Sequence, residues 1–366
     1  MRKLLLVFTV LLASAAASTA SAIALSIEQE IPVSGAIVNA EGVAVIHEGP
    51  NAGIYVPHRD NANVTVLDVD TGAFLYQFDT TIPLLVTSPC CTAHRGLRAI
   101  DVLPNGNLII GQHSTNLVRE VVIPAAPLDP NTIPTATLGT ISFTVPAHTD
   151  PIGAFAEFES ISAFENPANG QLYLLIGEEG RDNPPGTEVA GEVYLGTVGG
   201  AGLTSFEKLF QIDAFDDGFD DISGLDVISI VFDGAGNIDR AASLILMTDD
   251  SSADPLGVPV EPQSTMYVLN LLGQILSTLD GPGQGVDEGF EETFDRDQWI
   301  DAEGVDYGEK DGQPVVVVFF SNNGGNQTPS IARFEVLDFE AVPEPATLGL
   351  IGLSLAALAF GRARRS

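Results

Sequence analysis

Three acidic residues, Glu159, Asp221 and Glu303, stand at the start of apolar segments that lie far apart in the chain. If these segments are the innermost strands of one fold, the three carboxylates converge and repel one another unless protons or a cation lie between them. Calcium prefers oxygen ligands, so we predict a Ca²⁺ site there, with His94 or Asp101 as the corresponding residue of an earlier segment. The alternative is that each carboxylate accepts hydrogen bonds from backbone amides of a neighbouring segment.

The two cysteines of the chain are adjacent, at Cys90 and Cys91. In an oxidising compartment they can form a vicinal disulfide, stay free or pair between chains. His94 is close enough in sequence to suggest a metal site with them, but no fourth ligand is evident. We expect a structural role for the pair.

The sequence contains no motif of nucleophilic catalysis. It lacks a Gly-x-Ser-x-Gly elbow, a His-Glu-x-x-His pair and a glycine-rich phosphate loop. Isolated histidines are more often loop or core residues than catalytic ones. Four of the histidines nevertheless fall in the first two of the repeating units described below and could approach one another in the fold. These four are His47, His58, His94 and His113. The acid-rich stretches 213–221 and 287–301 lack the spacing of an EF-hand loop, and we expect them to be solvated.

Short apolar runs separated by Gly, Pro, Asn and Asp, without helical periodicity, predict an all-β chain. Five units repeat one order of features: an acidic or small start, a strand, a glycine-containing turn, an apolar strand and an outer strand. Such a repeat, about every 40–60 residues, predicts a β-propeller of five or six blades, the sixth within 115–155 or 180–215. The alternative is a sandwich or two jelly-roll domains. The units begin near Gly42, Gly96, Glu159, Asp221 and Asp301.

The segments DDISGLDVISIVFDGAGN, LILMTDDSS, MYVLNLLGQIL and WIDAEGVDYGEKDGQPVVVVFFSNN resemble the SdiA-regulated and esterase-like phytase group of propellers. The resemblance covers about residues 155–337 and implies a propeller fold. It also implies a Ca²⁺-dependent esterase or phosphatase as an alternative function. Against that function, binding of a phosphate-rich substrate normally uses Lys and Arg, and Lys208 and Lys310 are the only lysines between the processed ends.

The N-terminus has the three parts of a secretory signal peptide. Arg2 and Lys3 precede an apolar run, and the small residues Ala20-Ser21-Ala22 follow it. We expect cleavage by signal peptidase after Ala22, which makes residues 1–22 the signal peptide.

The C-terminus carries a short apolar run, Leu348 to Phe360, followed by arginines. We predict a single short transmembrane helix here. The run is shorter than the roughly 20 residues of a comfortable span, but snorkelling arginine side chains can extend it, and they place its end in the cytoplasm. With the preceding Pro343, Glu344 and Pro345, the segment 341–366 resembles a PEP-CTERM sorting signal. The resemblance implies that an exosortase cleaves the tail and releases the protein from the inner membrane; the alternative is an ordinary tail anchor.

The formal net charge of the chain is −34. Loss of the basic ends leaves 49 acidic and 10 basic residues, a net charge of −39. Nucleic-acid binding needs Lys and Arg clusters to neutralise phosphates, so the charge argues against it. The charge suits a soluble surface protein or one that binds divalent cations.

Together these patterns predict an exported protein with a propeller domain at 23–340 between its two processed ends. We expect a binding or structural role at the cell surface or in the extracellular matrix rather than an enzyme. The expected partners are signal peptidase and exosortase, then an exopolysaccharide or surface partner, with membrane contact only through the C-terminal segment. Ca²⁺ is the one cofactor expected.

Overall fold

The computed structural model describes the regions of the chain that form its β-structure. These are residues 23–32, 40, 42–58, 61–83, 96–112, 116–146, 158–178, 181–182, 188–189, 191–212, 222–249, 265–280, 302–320 and 330–339. Within these ranges no helix is long and apolar enough to cross a membrane. The predicted signal peptide and C-terminal helix lie outside them, and the domain limits at 22/23 and 340/341 stay predictions.

The described strands form five antiparallel four-stranded sheets, which are the blades of a propeller. Blade 1 contains β2 (Ala44–Ile46), β3 (Gly53–Pro57), β4 (Asn63–Leu67) and β5 (Phe74–Asp79). Blade 2 contains β6 (Leu97–Val102), β7 (Leu108–Gln112), β8 (Leu117–Val122) and β9 (Thr137–Thr144). Blade 3 contains β10 (Phe158–Asn166), β11 (Gln171–Glu178), β14 (Gly191–Gly199) and β15 (Gly202–Ile212), and a small hairpin of β12 (Arg181–Asp182) and β13 (Glu188–Val189) accompanies it. Blade 4 contains β16 (Gly224–Ser229), β17 (Leu244–Asp249), β18 (Thr265–Asn270) and β19 (Ile275–Asp280). Blade 5 contains β20 (Ala302–Lys310), β21 (Gln313–Phe320), β22 (Ser330–Phe339) and β1 (Ile23–Pro32).

The all-β propeller prediction is confirmed, with five blades. The two long intervals that could hold a sixth blade contain the outer strands of blades 2 and 3 instead: β8 and β9 in the first, and β14 and β15 in the second. The outermost of these strands, β9 and β15, are largely exposed, so their apolar pattern is weaker than that of the inner strands.

The ring is closed by strands from opposite ends of the domain. β1 pairs antiparallel with β22, from Ile23 opposite Phe339 to Pro32 opposite Ser330. The N-terminal strand is therefore the outer strand of the last blade. This pairing covers the edge of β22, which would otherwise expose unpaired backbone groups.

Apolar side chains fill each gap between neighbouring blades, in five separate clusters. Between blades 5 and 1, Val317 and Phe319 pack with Ile54 and Val56, all of them buried. Alternate residues of the same strand, such as Val318, pack against blade 4. Because both faces of a middle strand are buried, its sequence is a continuous apolar run rather than an alternating one.

The innermost strands β2, β6, β10, β16 and β20 contact one another in a ring around the axis. We call the face of the propeller where these strands begin the upper face, and the face where they end the lower face. Residues near the start of an innermost strand therefore meet their counterparts from the other blades at the upper mouth of the axis.

Candidate functional site at the propeller axis

Four innermost strands carry a side-chain oxygen at one equivalent position near the axis. We call these residues the aspartate ring: Asp101, Ser162, Asp226 and Asp306. Each accepts a hydrogen bond from the next blade around the ring. The donor is the backbone amide of the residue that directly follows the equivalent position in that blade. The four donors are Ala163 to Asp101 (2.5 Å), Val227 to Ser162 (3.2 Å), Tyr307 to Asp226 (2.5 Å) and Val45 to Asp306 (2.8 Å). Blade 1 has Ala44 at this position, so its link to blade 2 lacks such a bond.

The carboxyls of the aspartate ring are buried and lie close enough to influence one another. Burial raises the pKa of Asp226 to about 6. Burial, followed by the charge of Asp226, raises the pKa values of Asp101 and Asp306 well above the ordinary range. The Ser162 hydroxyl also donates to Asp226 (2.6 Å). The ring therefore holds protons at mildly acidic pH and becomes mutually repulsive as the pH rises.

A second set of polar residues lies three positions earlier in the innermost strands, at the upper mouth. We call it the upper ring: Arg98, Glu159, Ser223 and Glu303. All four side chains are buried. Each of the three charged members occupies a β-bulge, where the innermost strand has one more residue than its neighbour. Bulges re-aim side chains and are common beside functional sites.

Arg98 of blade 2 forms an ion pair with Glu159 of blade 3. Both side chains are nearly inaccessible to solvent, at 6% and 3% exposure. A buried carboxylate needs a counter-charge, and here arginine supplies it. Glu303 of blade 5 is buried at the same level of the axis.

Glycines bring the backbones of adjacent innermost strands into direct contact beside the upper ring. A Cβ atom on Gly304 would lie 2.7 Å from the amide nitrogen of Val43, and one on Gly42 would lie 2.3 Å from the carbonyl oxygen of Arg98. Neither distance is possible for a real Cβ, so these positions require glycine. These contacts hold the innermost strands of blades 5, 1 and 2 close together beside the upper ring.

Two of the three predicted calcium ligands lie within the described residues, and both belong to the upper ring. Glu159 is paired with Arg98, and Glu303 stands at the equivalent position of blade 5. The third, Asp221, lies outside the described residues; the equivalent position of blade 4 is occupied by Ser223. In the described part of the chain, no group of three or more His, Cys, Asp or Glu residues is arranged to hold a metal ion. The calcium site stays a prediction.

Asp101 was an alternative choice for the second unit, and the structure places it in the aspartate ring rather than the upper ring. Sequence reasoning missed Asp226, Asp306 and Ser162. A usable signal existed, because the short pattern Gly-apolar-Asp occurs both at Gly224-Leu225-Asp226 and at Gly304-Val305-Asp306. The alternative prediction was that carboxylates at strand starts accept hydrogen bonds from a neighbouring blade. Such hydrogen bonds occur, but the aspartate ring makes them, three residues further along each strand.

The remaining predicted residues do not add to the axis site. His58 lies in blade 1, where its Nε2 is 2.7 Å from the Thr65 hydroxyl oxygen. His47 lies on the lower face, so these two histidines do not share one mouth. Several others lie outside the described residues: Cys90, Cys91, His94, His113, the acid-rich stretches, and Pro343, Glu344 and Pro345.

Blade 3 carries a further cluster of ionisable groups at its upper end, which sequence reasoning did not identify. Glu178 and Glu192 face each other across β11 and β14. The Tyr194 hydroxyl donates to Glu192, and the Lys208 ammonium lies 2.9 Å from the same carboxylate. Tyr194 also stacks on Phe206, with ring centroids 4.7 Å apart.

The two glutamates of this cluster have different environments. Burial, followed by the charge of Glu192, raises the pKa of Glu178 to about 7. Glu192 has the lysine and the tyrosine as partners. Glu178 is therefore protonated below about neutral pH.

Comparison with known proteins identifies the C-terminal segment. Residues 341–365 match the PEP-CTERM protein-sorting motif. The match covers the predicted Pro343, Glu344 and Pro345, the apolar run and the arginines, and it confirms the sorting-motif prediction. The motif indicates an exported surface protein that is processed by an exosortase. A search of curated proteins finds no match to the chain.

Two solved structures illustrate the similarities found, both at low sequence identity. One is the α-L-arabinanase of Cellvibrio cellulosa in complex with arabinohexaose, at 10% identity over 81% of this chain and 92% of that one, with a TM-score of 0.46. Another is the PQQ-bound aldose sugar dehydrogenase of Streptomyces coelicolor, at 12% identity over 86% and 98%, with a TM-score of 0.43. At these values neither similarity bears on function. The resemblance to SdiA-regulated and phytase-like propellers stays a prediction.

The raised pKa of Asp226 predicts how stability depends on pH. A carboxyl whose pKa is higher in the folded than in the unfolded state stabilises the fold at low pH, and this contribution is lost as the pH rises through about 6. We expect Asp226→Asn to raise the free energy of unfolding at pH 8 by about 2 kcal/mol relative to wild type. We also expect the stability of the variant to depend less on pH. Thermal unfolding followed by circular dichroism between pH 5 and 8 measures both effects. Asp311→Asn, in an exposed turn, is the control; equal profiles for Asp226→Asn and wild type would contradict the prediction.

A similar experiment tests the protonated state of Glu178. Because its folded-state pKa of about 7 lies above the ordinary value, its ionisation destabilises the fold as the pH rises past neutrality. We expect Glu178→Gln to raise the unfolding temperature at pH 8 and to change it little at pH 5. The corresponding difference in the free energy of unfolding is about 1–3 kcal/mol. Glu165→Gln, an exposed position of the same blade, serves as the control. Destabilisation by Glu178→Gln at both pH values would show that the carboxyl is not protonated.

Proposed function

We propose that this chain is an exported binding protein of the cell surface or extracellular matrix. Exosortase cleavage at the C-terminal motif releases it from the inner membrane. The upper mouth of its propeller takes a neutral, hydroxyl-rich ligand, the end of a saccharide chain. The observation that carries the proposal is a group of buried hydroxyls without partners beside the upper ring.

These hydroxyls belong to Ser160, Ser223 and Thr248, at the upper ends of blades 3 and 4. All three side chains are at least 96% buried, and none of their oxygens has a hydrogen-bond partner among the described residues. Buried polar groups in proteins are normally hydrogen-bonded, and those that are not call for a bound water or ligand. Ser223 belongs to the upper ring, Ser160 follows Glu159, and Thr248 pairs with Gly224 in the adjacent strand. Three such groups together favour a ligand that both donates and accepts hydrogen bonds.

The charges of the upper ring disfavour an anionic ligand. Arg98 is paired with Glu159 and Glu303 adds a second buried carboxylate, so the ring offers no excess of positive charge for a phosphate or an acidic sugar. The net charge of −34 also repels polyanions from the whole surface. Saccharide hydroxyls, which donate and accept without a net charge, suit both the ion pair and the unpartnered serines.

The close contact of innermost strands beside the upper ring limits how the ligand binds. Backbone contacts at Gly42 and Gly304 hold the innermost strands close together, and the polar groups lie below the surface. A ligand that reaches them inserts an end rather than lying across the face. This favours recognition of a chain terminus over recognition of a repeating internal unit.

Removal of one hydroxyl tests the ligand site. Residues 23–340 contain every described strand of the ring, and this protein can be screened against neutral, acidic and amino-bearing glycans, followed by calorimetry on those that bind. We expect neutral glycans to bind and Ser223→Ala to weaken them about tenfold, the effect of one lost hydrogen bond.

The matched control is Ser243→Ala, because Ser243 is equally buried in blade 4 but lies toward the lower face, where it donates to the carbonyl of Asp239 (2.7 Å). Circular dichroism establishes that each variant is folded. The absence of any glycan ligand, or equal affinities of wild type and Ser223→Ala, would refute the upper-mouth site.

The sorting step has its own test. In a host with the exosortase, Pro343→Ala combined with Glu344→Ala removes the proline-framed segment that the motif match identifies. We expect most of the variant chain to remain in the membrane fraction, whereas wild type appears at the surface or in the medium. Glu340→Ala, just outside the matched residues, is the control. Normal release of the double variant would mean that another sequence directs cleavage.

A further inference from the structure

The lower face has two neighbouring cavities near the ends of β2 and β20, and Glu309 lines both. One has a volume of about 310 Å³ and is lined by His47, Glu48 and Glu309. The other has a volume of about 360 Å³ and is lined by Tyr307, Gly308, Glu309, Gly312 and Pro314. We call the two together the lower pocket.

Local sequence gives the lower pocket a rigid frame. Asp311 and Gly312 both adopt positive φ angles, 52° and 76°, and form the tight two-residue turn between β20 and β21. Gly308 allows the His47 ring to pack directly on the backbone of β20, since a Cβ atom at position 308 would lie 2.5 Å from Nε2 of His47. The pocket walls are therefore set by strand ends rather than by a long loop.

The charges that line the lower pocket are negative. Glu48 and Glu309 contribute two carboxylates, and no described cation forms an ion pair with either. The nearest lysine, Lys310, points to Asp70 of blade 1 instead, at 2.5 Å. Arg333 is buried and donates to the carbonyl of Val69 (2.9 Å).

An aromatic ring lies beside one of these carboxylates. Tyr307 is partly buried, and its phenol has a raised pKa because of burial and, next, the charge of Glu309. Tyr307, Gly308 and Pro314 line the same cavity as Glu309 and contribute apolar surface to it. A carboxylate next to an aromatic ring is the arrangement that binds an ammonium group attached to a hydrocarbon or sugar frame.

We propose that the lower pocket binds an organic cation, a primary ammonium group carried by a small amine or an amino sugar. Glu309 and Glu48 neutralise the ammonium, and the apolar surface at Tyr307 and Pro314 contacts the carbon frame beside it. The site is on the opposite face from the upper mouth and shares no residue with it. The proposal is therefore independent of the saccharide site.

Pairs of ligands that differ only in charge test the proposal. Calorimetry on residues 23–340 compares 1,4-diaminobutane with 1,4-butanediol, and glucosamine with N-acetylglucosamine. We expect at least one of the two amines to bind with a dissociation constant below about 10 mM, and its neutral partner not to bind. If only 1,4-diaminobutane binds, the source is a simple amine; if glucosamine binds as well or better, the source is an amino sugar.

Variants locate the binding. We expect Glu309→Gln to weaken the amine about two- to fivefold, the effect of removing one partner of a solvent-exposed charge pair, and Glu48→Gln to weaken it less. The control is Glu165→Gln, an exposed glutamate at the corresponding lower end of β10, which should bind like wild type. Because all three side chains lie at the surface, the variants are expected to fold.

Four outcomes would overturn the proposal. The first is that no amine binds at that concentration. The second is that neutral and charged partners bind equally. The third is that Glu309→Gln leaves amine affinity unchanged. The fourth is that CaCl₂ alone binds in a manner abolished by Glu309→Gln, which would make the pocket a metal site.

Discussion

The propeller depends on hydrogen bonds that run from the side chains of one innermost strand to the backbone of the next. Asp101, Ser162, Asp226 and Asp306 each satisfy an amide that the innermost strand cannot pair within its own sheet. Buried amides without partners are costly, so these contacts set the rotation and height of each blade relative to its neighbour. The apolar clusters between blades then fill the gaps that this geometry leaves.

These hydrogen bonds stabilise the ring, but they also bring several carboxyls together at the centre of the molecule, where their charges are unfavourable. The same carboxyls that join the blades are buried close to one another, which raises their pKa values and makes their ionisation unfavourable. At the level above them, arginine and glutamate compensate each other instead. The axis therefore contains one layer that carries its own counter-charge and one that relies on protons.

Much of the fold could be predicted from local sequence, because each blade repeats a short apolar pattern and a glycine-containing turn. The aspartate ring was within reach of the same reasoning, through Gly224-Leu225-Asp226 and Gly304-Val305-Asp306. The pairing of Arg98 with Glu159 was not, since 61 positions separate the two residues and only the packing of blades brings them together. The bulges at Glu159 and Glu303 likewise depend on how each strand pairs with its neighbour. Strand β1 was also missed, because its partner lies at the far end of the chain.

Closure by β1 and β22 has a consequence for how the chain is attached during export. Ile23 lies directly opposite Phe339, so the point where the predicted signal peptide joins the domain and the point that leads to the sorting motif are side by side on blade 5. A tether at either end of the domain would therefore hold it at the same place, the lower end of blade 5, where β1 begins and β22 ends.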